Sequence, residues 1–205
     1  MEIKTWHNAA FAWTGFLAVA SFAVFVVIAM NTDPSWVFGE DVFSSLRNHA
    51  NDTTRYFDAG CAVGGLLLTV FGIGNILYHR NQDQAIGGGL VAVAGIALAL
   101  VVLTPTGATP EDLCYYFGHM FALLMLMSLA AFAIGNWVAG HKVFAGVSLI
   151  LFASGIAAIM TFDLAKAETY GLFIGSIWVV LESIRMMIEK TEIGRVAHTF
   201  DEVRQ

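Results

Sequence analysis

The stretch that decides the fold is residues 86–104, which read IGGGLVAVAGIALALVVLT without a single charged side chain. A helix of about 20 residues spans the roughly 30 Å hydrocarbon core of a bilayer. A strand of a soluble sheet is much shorter, usually about 5–6 residues. The stretch therefore predicts a helix that crosses a membrane.

Five further apolar stretches of similar length lie on either side of it. The six predicted spans are Ala9–Met30, Phe57–Tyr78, Ile86–Thr104, Cys114–Val138, Phe144–Phe162 and Tyr170–Met187. Hydrophobic residues make up 58% of the 205 residues and charged residues 13%, against about 45–50% apolar and 25% charged in soluble domains. We therefore predict one all-α, polytopic membrane domain over residues 1–205, with a cytoplasmic tail at 188–205.

Basic residues are divided unevenly between the two sets of predicted loops. One set has Lys4, Arg80, Lys142, Arg185, Lys190, Arg195 and Arg204, and the other has Arg47, Arg55 and Lys166. Because loops rich in Lys and Arg stay in the cytoplasm, both termini are predicted to be cytoplasmic. The net charge of −6 argues against nucleic acid as a partner, since nucleic-acid binding needs a basic surface.

The longest predicted connection is the first outer loop, between spans 1 and 2. Its apolar residues recur at helical spacing, namely Phe38, Val42, Phe43 and Leu46. This pattern predicts a short amphipathic helix at the outer membrane interface, anchored by Trp36. Residues 36–48 would serve either as a lid over a pocket or as a plain interfacial cap.

Spans 2–3 and spans 4–5 resemble two copies of one helical hairpin. Residues 71–75 (FGIGN) precede His79-Arg80, and residues 132–136 (FAIGN) precede His141-Lys142. Both copies would enter the membrane from the same side, so we predict a parallel internal repeat. Asn75 and Asn136 are then structural polar residues that cap carbonyls or bond across helices.

The same repeat places Asp58 and His119 at equivalent depth, about one turn below the outer surface. Ionisable side chains at such a depth face the protein interior or a water-filled cavity. We therefore predict an outward-opening polar cavity for a lipid headgroup or a small polar ligand. The predicted ligand-binding residues are Asp58, His119, Glu168, Asp163, Tyr116 and Ser45. The alternative is a hydrogen-bonded pair that locks the two hairpins together.

Three other functions stay open. A metal-assisted or acid–base lipid hydrolase would use His119 as base or ligand, with His49, Asp58 and Glu168 as further ligands or orienting groups. A b-type cytochrome would need the matched histidines His79 and His141 as haem ligands. A small secondary transporter would use the parallel repeat. The residues alone assign no catalytic group and no cofactor.

Some polar and small residues have structural explanations. Glu182 and Arg185 are three residues apart and are predicted to pair along span 6, with a proton or ion relay as the alternative. Gly60–Gly64 and Gly171–Gly175 are small-residue faces that permit close helix contact, and they suggest a homo-oligomer. Cys61 and Cys114, near the outer ends of their spans, are either small buried residues or a disulfide.

Two short motifs carry a family resemblance. The outer loop reads Ser44-Ser45-Leu46-Arg47, and span 2 opens with Phe57-Asp58-Ala59-Gly60; Thr104-Pro105 and His119 follow. In this order the chain resembles DUF998, an uncharacterised six-helix membrane family of archaea and bacteria, over nearly its whole length. The family pattern has glycine where this chain has Arg47, and asparagine where it has Asp58. The resemblance implies a six-span fold in a prokaryotic plasma membrane and implies no activity.

Overall fold

The computed structural model describes the backbone of residues 3–47, 52–78, 81–103 and 113–202, and the side chains of 9–47, 52–78, 81–103 and 114–188. Its six long helices are α1 (Ile3–Thr32), α2 (Asp52–Tyr78), α3 (Gln82–Leu100), α4 (Leu113–Val138), α5 (Lys142–Thr161) and α6 (Leu164–Glu202). All six are long and apolar enough to cross a membrane. The predicted all-α, six-span architecture is therefore confirmed.

Two of the boundary differences from the sequence prediction lie in the last helix. The last span begins at Leu164 rather than Tyr170, because Asp163 accepts a hydrogen bond from the backbone of Lys166 and starts the helix there. The same helix then continues to Glu202, so most of the predicted tail extends α6. A hydropathy pattern locates the apolar part of such a helix and misses its polar ends.

Successive helices pack against each other, and α6 returns to contact α1. The middle of the bundle is filled by large side chains from α2, α4 and α6, including Phe71, Phe132 and Trp178. The rings of Phe132 and Trp178 lie 4.8 Å apart between centroids. This apolar centre separates two polar clusters at the two ends of the bundle. We call the end that carries residues 33–47 the loop end, and the end where α4 turns into α5 the turn end.

Helices α2 and α3 approach closely along a line of glycines. A Cβ atom on Gly65 would lie 2.6 Å from the carbonyl oxygen of Gly95. A Cβ on Gly72 would lie 2.4 Å from the backbone nitrogen of Ala92. Both positions thus require glycine, because the obstacle in each case is the backbone of the facing helix.

The two predicted small-residue faces have different surroundings. Gly60 and Gly64 pack on Phe25 and Phe22 of α1, so this face is used inside the chain and is not available for an oligomer. A Cβ atom on Gly171 would meet no described atom within 4 Å. A Cβ on Gly175 would lie 3.6 Å from the side chain of Met125 on α4, so of this second face only Gly171 is open. The predicted homo-oligomer stays a prediction.

The first outer loop contains a short helix, as predicted, and this helix packs into the bundle. Its helical part is a 3₁₀ helix of five residues, Phe43–Arg47, that contacts α2, α4 and α6. Phe43 and Leu46 are buried, and Trp36 is only 7% exposed. Gly39, with φ at +79°, turns the chain back over the bundle. Phe43 and Leu46 are therefore covered by the protein itself, whereas Phe38 is half exposed.

The predicted repeat stays a prediction, although its equivalent residues share some surroundings. Phe71 and Phe132 are both fully buried, as are Asn75 and Asn136. Asn75 donates to the carbonyl of Phe71 in its own helix, at 3.0 Å. Asn136 instead joins residues of two other helices, as described below.

Candidate functional site

An ion pair anchors one end of the 3₁₀ helix at the loop end. Nε of Arg47 lies 2.6 Å from Oδ1 of Asp58, and Nη2 lies 3.2 Å from Oδ2. The Arg47 side chain is 4% exposed, and its Nη2 also donates to the carbonyl of Val102 at 3.3 Å. Burial opposes a charge on Arg47, but the contacts with Asp58 and, to a smaller extent, with Cys114 outweigh it and raise the pKa of Arg47. The guanidinium is therefore held charged inside the protein.

A second carboxylate anchors the other end of the same helix. Oε2 of Glu168, on α6, accepts a hydrogen bond from the backbone N–H of Phe43 at 2.9 Å. On the Arg47 side, the hydroxyl of Thr54 donates to the carbonyl of Arg47 at 3.1 Å. The loop is thus fixed to α2 and to α6 by polar contacts that are partly shielded from solvent.

His119 has its closest polar contact within its own helix. Its Nδ1 lies 2.8 Å from the carbonyl oxygen of Tyr115, and the two rings are 3.9 Å apart between centroids. His119 also lies close enough to Glu168 for their charges to interact. Asp58, which the sequence analysis set opposite His119, has Arg47 as its partner. Asp58 and Glu168 therefore both hold the loop, while His119 packs on Tyr115 of its own helix. Their predicted role in ligand binding stays a prediction.

A cleft of about 450 Å³ opens beside the loop, between residues 38–40 and the first turns of α6. Its lining residues are Phe38, Gly39, Glu40, Lys166, Thr169, Tyr170 and Phe173. Three of them are exposed aromatic residues, and two carry opposite charges. None of the predicted ligand-binding residues lines this cleft.

The other three predicted ligand-binding residues, Asp163, Ser45 and Tyr116, contact residues close to them in the sequence. Asp163 accepts from Nζ of Lys166 at 2.7 Å, and this hydrogen bond lowers the pKa of Asp163. The hydroxyl of Ser45 donates to the carbonyl of Val42 in its own turn, at 2.7 Å. Tyr116 is exposed on α4, with its ring against Tyr115.

The turn end contains a buried polar network that joins three helices. Oδ1 of Asn136 on α4 accepts from Nε2 of Gln84 on α3, at 2.7 Å, and also from Nη1 of Arg185 on α6. Arg185 is 1% exposed and also donates to Oε1 of Glu182 at 2.7 Å. Its guanidinium lies 5.6 Å from the centre of the Phe144 ring. These contacts neutralise each charge and tie α3, α4 and α6 together.

The predicted metal and haem ligands are only partly within the residues that the structure describes. In that part of the chain, no group of three or more His, Cys, Asp or Glu side chains is placed to hold a metal ion. His49 and His79 lie outside the described residues, and His141 is exposed where α5 begins. Cys61 and Cys114 carry free thiols, so the two residues do not form the disulfide that was one of the alternatives.

Arg47, Gln84 and Glu40 were not among the predicted site residues. Arg47 carried a usable signal, since it and Asp58 are charges of opposite sign in the short motifs of the outer loop and of span 2. Two such charges near the same end of the bundle indicate an ion pair. Gln84 and Glu40 carried no signal, because polar residues are common at the ends of membrane spans.

Comparison with known proteins agrees with the architecture. The model of a family described as "Protein of unknown function (DUF998)" matches residues 16–185. Neither the curated proteins nor the solved structures include a match to the chain.

Proposed function

The chain belongs to the DUF998 family, and from that premise and its six-span fold we propose that it is a lipid-binding module of a prokaryotic plasma membrane. Both termini are cytoplasmic in this proposal, since the basic residues favour that orientation. The loop end then faces outward. The ligand is a membrane phospholipid, held by its headgroup beside the anchored loop.

The cleft between residues 38–40 and α6 is the observation that carries this proposal. Its volume of about 450 Å³ falls within the roughly 300–1,000 Å³ of small-molecule sites. Phe38, Tyr170 and Phe173 supply apolar contact on its walls, and Glu40 and Lys166 supply charge. Aromatic rings beside charged groups suit a molecule with a polar head and an apolar body.

The anchored loop gives such a cleft a fixed wall. Glu168 holds the start of the 3₁₀ helix and Asp58 holds its end. A site built on residues that are already ordered loses less conformational entropy when the ligand binds. Asp58 and Glu168 therefore act on ligand binding through the position of the loop.

The hydrolase alternative is less favoured by the same contacts. It would use Asp58 to orient His119, but Arg47 engages both oxygens of Asp58. No observation among the described residues singles out the transporter or cytochrome alternatives.

Native mass spectrometry of the protein, purified in a mild detergent without added lipid, tests the proposal. We expect a retained phospholipid that is lost in the double variant Phe38→Ala, Phe173→Ala, whose two rings lie 6.4 Å apart. The matched control is Trp13→Ala, Phe16→Ala, another aromatic pair, with rings 5.6 Å apart on α1. A wild-type protein without bound phospholipid, or equal loss in both double variants, would overturn the proposal.

A further inference from the structure

We infer that the cleft selects a phospholipid with a zwitterionic headgroup, binding the phosphate at Lys166 and the ammonium group at Glu40. This inference rests on the proposed lipid-binding function. It adds the chemical class of the headgroup, which neither the family nor the fold provides.

The two charges stand on opposite walls of the cleft. Glu40 belongs to the loop and Lys166 to α6, and they are close enough to interact electrostatically. A phosphate–ammonium headgroup carries one charge of each sign a few bonds apart. It can therefore face the two walls at once, which a singly charged headgroup cannot do.

The local charge balance disfavours an anionic lipid. The ammonium group of Lys166 is already paired with Asp163, at 2.7 Å, and Glu40 adds a second carboxylate. With two acidic groups and one basic group, the mouth of the cleft has a net negative charge. An ammonium group is attracted to this mouth, and the aromatic rings of Phe38 and Tyr170 add favourable faces for a cation.

The polar and apolar lining residues lie at different depths in the membrane, in the same order as the headgroup and acyl chains of a phospholipid. Residues advance about 1.5 Å along a helix, so Phe173 lies roughly 10 Å further along α6 than Lys166. Lys166 is near the start of the span and Phe173 is within it. The polar part of the cleft thus lies at headgroup level, and its apolar part lies where acyl chains begin.

Lys166 can still bind a phosphate while it is paired with Asp163. A lysine ammonium has three N–H donors, and the pair with Asp163 uses one of them at Oδ2. Two donors therefore stay available for phosphate oxygens. Thr169 lines the same wall one turn further along α6, but its hydroxyl donates to the carbonyl of Ala165.

The test is a lipid competition measured by native mass spectrometry, with phosphatidylethanolamine, phosphatidylcholine and phosphatidylglycerol added in equal amounts to delipidated protein. We expect each zwitterionic lipid to be retained about fivefold more than phosphatidylglycerol, which is the size of a favourable exposed charge contact. Glu40→Lys should reverse this preference, because it places two basic residues at the mouth. Lys166→Gln should weaken the binding of all three lipids.

The matched control is Asp52→Asn with Arg55→Gln, which removes another exposed pair of opposite charge at the loop end. It should leave the preference unchanged. Equal retention of all three lipids by wild type, or an unchanged preference in Glu40→Lys, would overturn the inference while the proposed lipid binding stands. Absence of every lipid would overturn both.

Discussion

Arg47 and Asp58 form a two-pronged ion pair, with Nε 2.6 Å from Oδ1 and Nη2 3.2 Å from Oδ2, that ties the first outer loop to α2. The two residues lie in the short motifs of the outer loop and of the start of span 2. Their opposite charges neutralise each other inside the protein.

This relationship predicts non-additive mutations. Arg47→Gly and Asp58→Asn should each lower the free energy of unfolding by about 2–4 kcal/mol, since each leaves one charge buried without its partner. The double variant removes both charges and should cost less than the sum of the two, by about 0.5–3 kcal/mol. Unfolding of the four proteins in a denaturing detergent, followed by circular dichroism, measures this. Additive losses would contradict the pairing.

The contact between Glu168 and Phe43 predicts a local effect on the loop. Glu168→Leu removes the acceptor of the Phe43 N–H, and the 3₁₀ helix should open more often. Hydrogen exchange at that amide should accelerate roughly tenfold, equivalent to about 1.4 kcal/mol. Glu168→Gln keeps an acceptor oxygen and should exchange more slowly than Glu168→Leu. Unchanged exchange in Glu168→Leu would show that the loop is held without this contact.

The buried network at the turn end predicts a difference between two changes of Asn136. Both Gln84 and Arg185 donate to its Oδ1. Asn136→Asp keeps acceptor oxygens for both donors, whereas Asn136→Leu leaves two buried donors without one. We expect Asn136→Leu to lose at least about 2 kcal/mol more stability than Asn136→Asp. Equal melting temperatures would show that the network contributes little.

The close contact of α2 with α3 predicts a position-dependent effect of one methyl group. Gly65→Ala should destabilise the bundle by about 1–3 kcal/mol, because the new Cβ meets the backbone of α3. The matched control is Gly146→Ala on α5, where a Cβ meets no described atom within 4 Å. That change should be neutral or stabilising by up to about 1 kcal/mol. Thermal unfolding compares the two, and an equal response would contradict the packing.

The pair of Asp163 with Lys166 predicts a local pH dependence. The hydrogen bond from Lys166 lowers the pKa of Asp163. The ion pair therefore stabilises the folded state fully above about pH 4, the ordinary range of the Asp pKa. This stabilisation is lost as the pH falls through the lower pKa of Asp163 in the folded protein. An NMR titration of the Asp163 carboxyl should show this low pKa. In Lys166→Gln the pKa should rise toward its ordinary value without reaching it, because the backbone N–H of residue 166 still donates to Asp163. An unchanged pKa would rule out the Lys166 side chain as a cause.

Hydropathy was sufficient to predict the architecture, because six apolar stretches of membrane-spanning length have few alternative structures. The environment of the first outer loop could not be predicted in the same way. Phe43 and Leu46 have the same spacing whether the membrane or the protein covers them. The partner of Asp58 depends on how the loop folds over the bundle. A repeat that aligns Asp58 with His119 therefore predicts that they lie at the same depth, but it does not predict which residue each one contacts.

The cleft was missed for a related reason. Glu40 and Lys166 are far apart in the sequence, and each one alone is an ordinary exposed charge. The turn at Gly39 and the hydrogen bond from Phe43 to Glu168 place the loop beside α6, so that these two residues face one space. That Glu40 and Lys166 line the same cleft depends on the folded structure, and it cannot be predicted from composition or periodicity.

The most direct measurement is a cryo-electron microscopy map of the protein in nanodiscs of phosphatidylethanolamine, with an antibody fragment bound for alignment. The proposed binding predicts ordered headgroup density between Glu40 and Lys166, with acyl density continuing past Phe173. A map that resolves these side chains but shows the cleft empty or filled by the loop itself would contradict it.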